Sequence, residues 1–142
     1  MAELIRSAYA SEVQRSLRDW FNTCEDRPMD FSFEDLPEND TGICVASDQA
    51  PAYVARYITG GHKAEYRFRL IYRVLPSDDG DMLDAVETLT AIAEWAETEI
   101  PPDIDGAVNE TIQRTSDAAI MSVYEDGTND YSVSLTLQWE VF

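Results

Sequence analysis

The chain has 142 residues, of which 44% are hydrophobic and 11% aromatic, so it can bury the core of a single globular domain over residues 1–142. Its 28 acidic and 10 basic residues give a net charge of −18, which disfavours binding to nucleic acid or to an anionic membrane. No apolar run of 18 or more residues occurs, so we expect no membrane-spanning helix. Residues 1–18 lack the features of a signal peptide, which predicts an intracellular protein.

The acidic residues are concentrated in the second half of the chain. Residues 76–142 contain 16 acidic residues and one basic residue, Arg114, whereas residues 1–75 contain 12 acidic and 9 basic residues. This asymmetry indicates either a solvated acidic surface or an affinity for basic partners. Because a salt-adapted proteome would give the same composition, charge alone identifies no partner.

The first predicted element is an amphipathic helix over residues 3–22, because apolar residues recur there at the 3.6-residue period of a helix. After Pro28, a polar stretch with a short alternating piece leads to a short apolar run, Gly42 to Ala46. Residues 52–59 are rich in β-branched and aromatic residues, and they end at Gly60-Gly61, a strong turn signal. These patterns predict a first group of strands.

The clearest pattern is a long strand over residues 63–74. Apolar residues alternate there with mostly charged ones, which is the period of two expected for a strand with one buried face. Pro76 ends this pattern.

A second helix is predicted from Met82 to about Thr98, since capping residues precede it and two prolines prevent its continuation. Candidate strands follow over residues 107–114 and 118–124, and a polar hairpin loop, 125–130, precedes a last strand over residues 131–142. This order of elements predicts an α+β fold, a mostly antiparallel β-sheet with two α-helices packed on one face.

The sequence contains no recognisable catalytic constellation. The lone histidine, His62, follows two turn glycines, and no phosphate-binding loop or zinc-protease motif occurs. An acidic cluster precedes and opens the second predicted helix, but it lacks the spacing of a calcium loop and is explained by helix capping; it consists of Asp78, Asp79, Asp81 and Asp84. We therefore expect no enzymatic activity, no metal, no cofactor and no small-molecule substrate.

The two cysteines, Cys24 and Cys44, are too few to build a usual zinc site with the single histidine. A disulfide between them is disfavoured in an intracellular chain. We expect two buried, apolar thiols.

Half of the basic residues lie within residues 56–73, and four of them share one face of the predicted long strand. These five residues are Arg56, Lys63, Arg67, Arg69 and Arg73. They either pair with carboxylates on neighbouring strands, at about 0.2–1 kcal/mol each, or form a basic stripe that meets the acidic C-terminal half of a second copy. Contacts of the second kind are head-to-tail and close into a ring when the rotation permits.

Three parts of the sequence carry a family resemblance, which the chain length and the element order support. They are residues 64–73, AEYRFRLIYR; residues 85–89 with 95–97, AVETL and WAE; and residues 124–131, YEDGTNDY. Together they resemble a family of small tailed-phage proteins usually called minor capsid proteins. That family is similar to the tail-terminator proteins of phages with long, non-contractile tails.

The resemblance implies a non-catalytic α+β subunit that assembles in a ring of about six copies, caps the tail tube and presents a surface to the head. Its implied partners are copies of itself and other phage tail or head-completion proteins. Its implied location is the bacterial host cytoplasm during assembly, and then the virion at the head–tail junction or tail.

The residues that we predict for subunit contacts are Arg67, Arg69, Arg73, Glu125, Asp126 and Asp130. The first three lie on the basic stripe, and the last three lie in a hairpin loop of the kind that often reaches neighbouring molecules.

Two alternatives stay open at this point. An acidic decoy would occupy a basic nucleic-acid-binding protein by imitating an array of phosphates, and its affinity would fall steeply with salt. A small ligand-binding or enzymatic domain would show a concave site lined by polar groups with shifted pKa values.

Overall fold

The computed structural model describes residues 2–37, 40–48, 52–75, 79–104 and 106–142. In chain order its elements are α1 (Ala2–Phe21), β1 (Phe31–Phe33), β2 (Gly42–Ser47), β3 (Ala52–Arg56), β4 (His62–Val74), α2 (Asp79–Thr98), β5 (Val108–Arg114), β6 (Ala119–Val123) and β7 (Asn129–Val141). The seven strands form one mixed, mostly antiparallel sheet, and the predicted α+β class is confirmed.

The centre of the sheet is the antiparallel pair of β4 and β7, which runs from His62 opposite Val141 to Val74 opposite Asn129. β3 and β2 pair with successive parts of the other edge of β4, and β5 and β6 pair with successive parts of the other edge of β7. β1 extends the sheet by pairing with β2, and among the described strands this is the one parallel pair. Each shorter strand except β1 therefore pairs directly with one of the two long strands.

Both helices pack on one face of this sheet, as the apolar alternation predicts. The even-numbered residues of β4 and the odd-numbered residues of β7 point to that face and form the core with the buried sides of α1 and α2. The ring of Phe21 on α1 lies 5.9 Å from the ring of Phe68 on β4 and 6.0 Å from the ring of Trp95 on α2. Because Phe21 is fully buried, this one side chain joins both helices to the sheet.

The boundary of β3 differs from the prediction, which extended the strand to residue 59. The strand ends at Arg56 because a tight turn begins at the next residue, where Tyr57 N donates to Gly61 O at 2.8 Å. Gly60 has φ of 96°, a left-handed conformation that glycine adopts without strain.

The predicted loop 125–130 is shorter in the structure, because Asn129 and Asp130 belong to β7 and lie opposite Val74 and Arg73. Pro76, which ends the predicted strand pattern, and Ser77 and Asp78, which precede α2, lie outside the described residues.

Both cysteines are buried and free, which confirms the expectation of apolar thiols. Cys24 belongs to the core cluster between helices and sheet. Cys44 lies in β2 opposite Ile71, and burial, with the negative charge of Asp130 as a smaller cause, raises its pKa to about 11. A thiol with that pKa is protonated, and therefore unreactive, near neutral pH.

Candidate subunit interface

The sheet face turned away from both helices is called the open face. It carries the odd-numbered residues of β4 and the even-numbered residues of β7, which are mostly polar or charged. Arg67, Arg69 and Arg73 lie in one row on this face, as the period of two predicts. The long strand therefore does bring together the basic half of the predicted contact set.

Arg73 and Asp130 form the most buried ion pair of the described residues, with side chains 16% and 2% exposed. Arg73 Nε and Nη2 donate to the two carboxylate oxygens of Asp130 at 2.7 and 2.9 Å, the bidentate arrangement that suits a guanidinium. Its Nη1 donates to Pro37 O at 3.0 Å. The hydroxyl of Tyr124 donates to Asp130 Oδ2 at 2.9 Å, and the guanidinium lies 5.0 Å from the centre of the Tyr124 ring.

The Arg73–Asp130 pair changes the pKa of Arg73 and links distant segments of the chain. The hydrogen bonds from Arg73 to the Asp130 carboxylate raise the pKa of Arg73 above its ordinary value. Arg73 on β4 binds Asp130 at the start of β7 and the carbonyl of Pro37, and Asp130 also accepts a hydrogen bond from Tyr124. The pair therefore links β4 to three segments of the fold: the start of β7, the segment that contains Pro37 and the turn that contains Tyr124.

The other two arginines of the row also face carboxylates of the same chain. Arg69 Nε lies 2.6 Å from Asp48 Oδ1, within the distance of an ion pair but without the alignment of a hydrogen bond. Arg67 Nε lies 3.2 Å from Glu65 Oε1, and the Arg67 side chain is 58% exposed. Pairing within the chain thus offsets the positive charge of the stripe, and Arg67 is the most accessible of the three arginines.

The acidic half of the predicted contact set divides between surface and interior. Asp126 Oδ1 accepts hydrogen bonds from Thr128 N at 3.0 Å and Thr128 Oγ1 at 2.6 Å, and these bonds lower the pKa of Asp126. They shape the turn of residues 124–128, in which Gly127 has φ of 93°. Glu125 and Asp126 are exposed there, whereas Asp130 is buried.

The strand β6 is an edge strand with an apolar surface, which the sequence analysis did not single out. It pairs with β7 alone among the described strands, and Ile120 and Val123 are 52% and 71% exposed. Its five residues include no charge and no proline, the features that usually protect a sheet edge from pairing with another chain. Residues 118–124 were predicted as a strand, but their position at an edge depends on the order of the sheet.

A groove of about 530 Å³ opens near the C-terminal ends of α1 and α2, and we call it the tryptophan groove. Trp20 and Trp95 lie side by side in it, with ring centres 4.4 Å apart, and Trp20 Nε1 donates to Ile100 O at 2.9 Å. The other residues that line the groove are Thr23, Glu25, Asp26, Glu99 and Ile100. The sequence places each tryptophan on or near the apolar side of its own helix, but no local signal shows that the two rings meet.

Among the described residues, no group of three histidines, cysteines or carboxylates is placed to hold a metal ion. None of the helices, within the described ranges, is both long and apolar enough to cross a bilayer. His62 is the first residue of β4 and lies opposite Val141 in the central pair of strands.

No protein-family model matches the sequence, and no curated protein sequence matches it. The fold is similar to that of a chain from the virion of a native gene transfer agent particle, with a TM-score of 0.51 and 12% sequence identity, over 78% of this chain and 77% of that one. A second solved chain matches with a TM-score of 0.54 and 13% identity, over 100% of this chain and 97% of that one. At these identities the likeness establishes a shared fold.

Proposed function

We propose that this chain is a structural subunit of a phage or phage-like particle, of the tail-terminator or head–tail joining type. It acts by assembling with copies of itself, in a ring of about six, and with neighbouring tail or head-completion proteins. The observation that carries the proposal is the likeness of the fold, over about three quarters of both chains, to a chain from a gene transfer agent virion. Such a particle is phage-like, and the resemblance drawn from residues 64–73, 85–89, 95–97 and 124–131 points to the same class of protein.

The surface features support an assembling subunit. The uncharged edge of β6 and the open face both offer areas that a neighbouring chain would cover. Of the predicted contact residues, we propose that Arg67, Arg69, Glu125 and Asp126 touch neighbouring subunits, because all four side chains reach the surface. Arg73 and Asp130 then act indirectly, by holding the Tyr124 turn in place.

The experiment is a measurement of molar mass and shape. The purified chain is studied by size-exclusion chromatography with light scattering and by negative-stain electron microscopy, first alone and then with candidate tail-tube proteins from the same genome. We expect rings, either in the free protein or once the tube is present. A chain that stays monomeric in both samples and does not bind the tube would contradict the proposal.

Matched variants make the test specific to a surface. Ile120→Lys places a charge on the exposed edge of β6 and should weaken ring formation, whereas Glu12→Lys, on an exposed position of α1, is the control. Both variants should keep the wild-type circular dichroism spectrum, because surface substitutions change stability by less than about 0.5 kcal/mol.

The acidic decoy is the competing function, and the net charge of −15 in residues 76–142 favours it. It predicts a monomer or dimer that binds a basic DNA-binding protein and releases it as salt increases. The same chromatography, with such a protein added at low and high salt, separates this function from assembly in a ring.

A further inference from the structure

The tryptophan groove combines aromatic surface with negative charge. Trp20 and Trp95 are partly exposed, and Glu25, Asp26 and Glu99 around them are exposed. None of the residues that line the groove is basic. Glu25 and Asp26 take part in no ion pair among the described residues, since the neighbouring Arg27 pairs with Asp30 instead. Such a groove suits a cationic side chain, because the carboxylates attract the positive charge and the face of a tryptophan ring adds a cation–π contact.

The turn between β3 and β4, residues 57–61, has the complementary properties, and we call it with Arg56 the hairpin tip. Ile58 is fully exposed, at 107% of its reference area, so its side chain contacts nothing in its own chain. Arg56 is exposed and, within the described part of the chain, forms no ion pair. Six of the other basic residues do form ion pairs with carboxylates of this chain, so Arg56 is one of the few cations left for a partner.

The hairpin tip is held in a fixed shape. Tyr57 stacks on Phe142, with ring centres 5.9 Å apart and planes 20° from parallel. Tyr57 N donates to Gly61 O at 2.8 Å, and Gly60 N donates to Tyr57 O at 3.0 Å. A preorganised tip loses little conformational entropy when it binds, which favours its use as a contact.

We propose that the hairpin tip of one copy inserts into the tryptophan groove of a second copy. Ile58 packs against Trp20, Trp95 and Ile100, while the guanidinium of Arg56 faces Glu25 and Asp26. The tip and the groove are different surfaces, so the contact is head-to-tail, and its repetition gives a ring or an open chain of subunits. This inference rests on the proposed function, because it names one further contact between neighbouring subunits, beside the surfaces already proposed.

A charge-exchange experiment tests the contact. Arg56→Glu and the double variant Glu25→Arg/Asp26→Arg should each weaken self-association by about tenfold or more, because each places like charges opposite one another. The protein that carries all three substitutions should recover most of the association, since the charges are then exchanged. Arg15→Glu is the matched control, because Arg15 is exposed on α1 and also lies in no ion pair among the described residues. Sedimentation velocity over a series of protein concentrations measures the association.

A cross-linking experiment tests the geometry separately. Protein with Ile58→Cys is mixed with protein with Ile100→Cys under mild oxidation, and the two native cysteines are buried. We expect a disulfide-linked heterodimer in the mixture and much less linked protein in either sample alone.

Two results would overturn the inference. Rings that form normally with Arg56→Glu and with Glu25→Arg/Asp26→Arg would show that subunits associate elsewhere, and the proposed function would stand. Loss of association in the groove variant alone, without recovery in the combined variant and without the cross-link, would mean that the groove binds a basic segment of another protein. Failure of the wild-type chain to assemble even with the tail-tube protein would instead count against the proposed function itself.

Discussion

Replacing Asp130 with asparagine tests whether the Arg73–Asp130 pair holds the sheet together. The substitution preserves size but leaves the guanidinium, whose side chain is 16% exposed, without its carboxylate. Breaking a buried ion pair by removing one partner costs about 3–5 kcal/mol. Because Arg73 keeps its bond to Pro37 O, we expect the lower end, about 3 kcal/mol. With a urea dependence of about 2 kcal/mol per molar, the unfolding midpoint should fall by about 1.5 M.

The assay is urea unfolding followed by circular dichroism, with two comparisons. Asp48→Asn removes the carboxylate from the more exposed Arg69–Asp48 pair, with side chains 36% and 34% exposed, and should cost no more than about 1 kcal/mol. The double variant Arg73→Met/Asp130→Leu should recover much of the lost stability, because apolar residues of similar volume can replace a buried pair at little cost. If Asp130→Asn is no more destabilising than Asp48→Asn, the Arg73–Asp130 pair does not hold the sheet together.

Three further outcomes are expected. Phe21→Ala should lower the free energy of unfolding by about 3–5 kcal/mol in the same assay, since this ring joins both helices to the sheet, and a loss below about 1 kcal/mol would contradict that role. Gly127→Ala should lower the free energy of unfolding by about 1–2 kcal/mol, because φ is 93° there and alanine is strained in that conformation. An unchanged urea midpoint would show that alanine fits this position without strain. Cys44 should resist a thiol reagent at about pH 8 in the folded protein and react after unfolding. The pKa of Cys44 in the folded protein, about 11, exceeds the ordinary 9.0, so the contribution of this thiol to the free energy of unfolding is complete below about pH 9 and should be lost as the pH rises towards 11. In Cys44→Ala, this decrease in the free energy of unfolding between about pH 9 and 11 should be absent.

The periodic elements could be predicted because their patterns are local. The alternation in residues 63–74 determines both the strand β4 and its buried face, and the 3.6-residue pattern places α1 and α2 within a few positions of their observed ends. Both helices share a face because the sheet has a single continuous apolar face, on the even positions of β4 and the odd positions of β7.

The pairings between distant segments could not be predicted in this way. Asp130 follows a polar turn sequence, so locally it looks like an exposed loop residue, yet Arg73 lies opposite it and both are buried. The tryptophan groove likewise depends on the approach of Trp20 and Trp95, which lie in different helices. Local sequence patterns specify which side of an element is apolar, but they do not specify which element will cover it.

The central pair of strands also has a consequence for the order in which the chain can fold. β4 pairs along its whole length with β7, which is made after all the other described strands, and α2, β5 and β6 lie between them in the sequence. During synthesis, one edge of β4 therefore stays unpaired until β7 has left the ribosome, and the closure of so long an intervening loop slows folding. Removal of β7 would take away the partner of three other strands at once, so we expect truncated chains to aggregate rather than to form a smaller stable sheet.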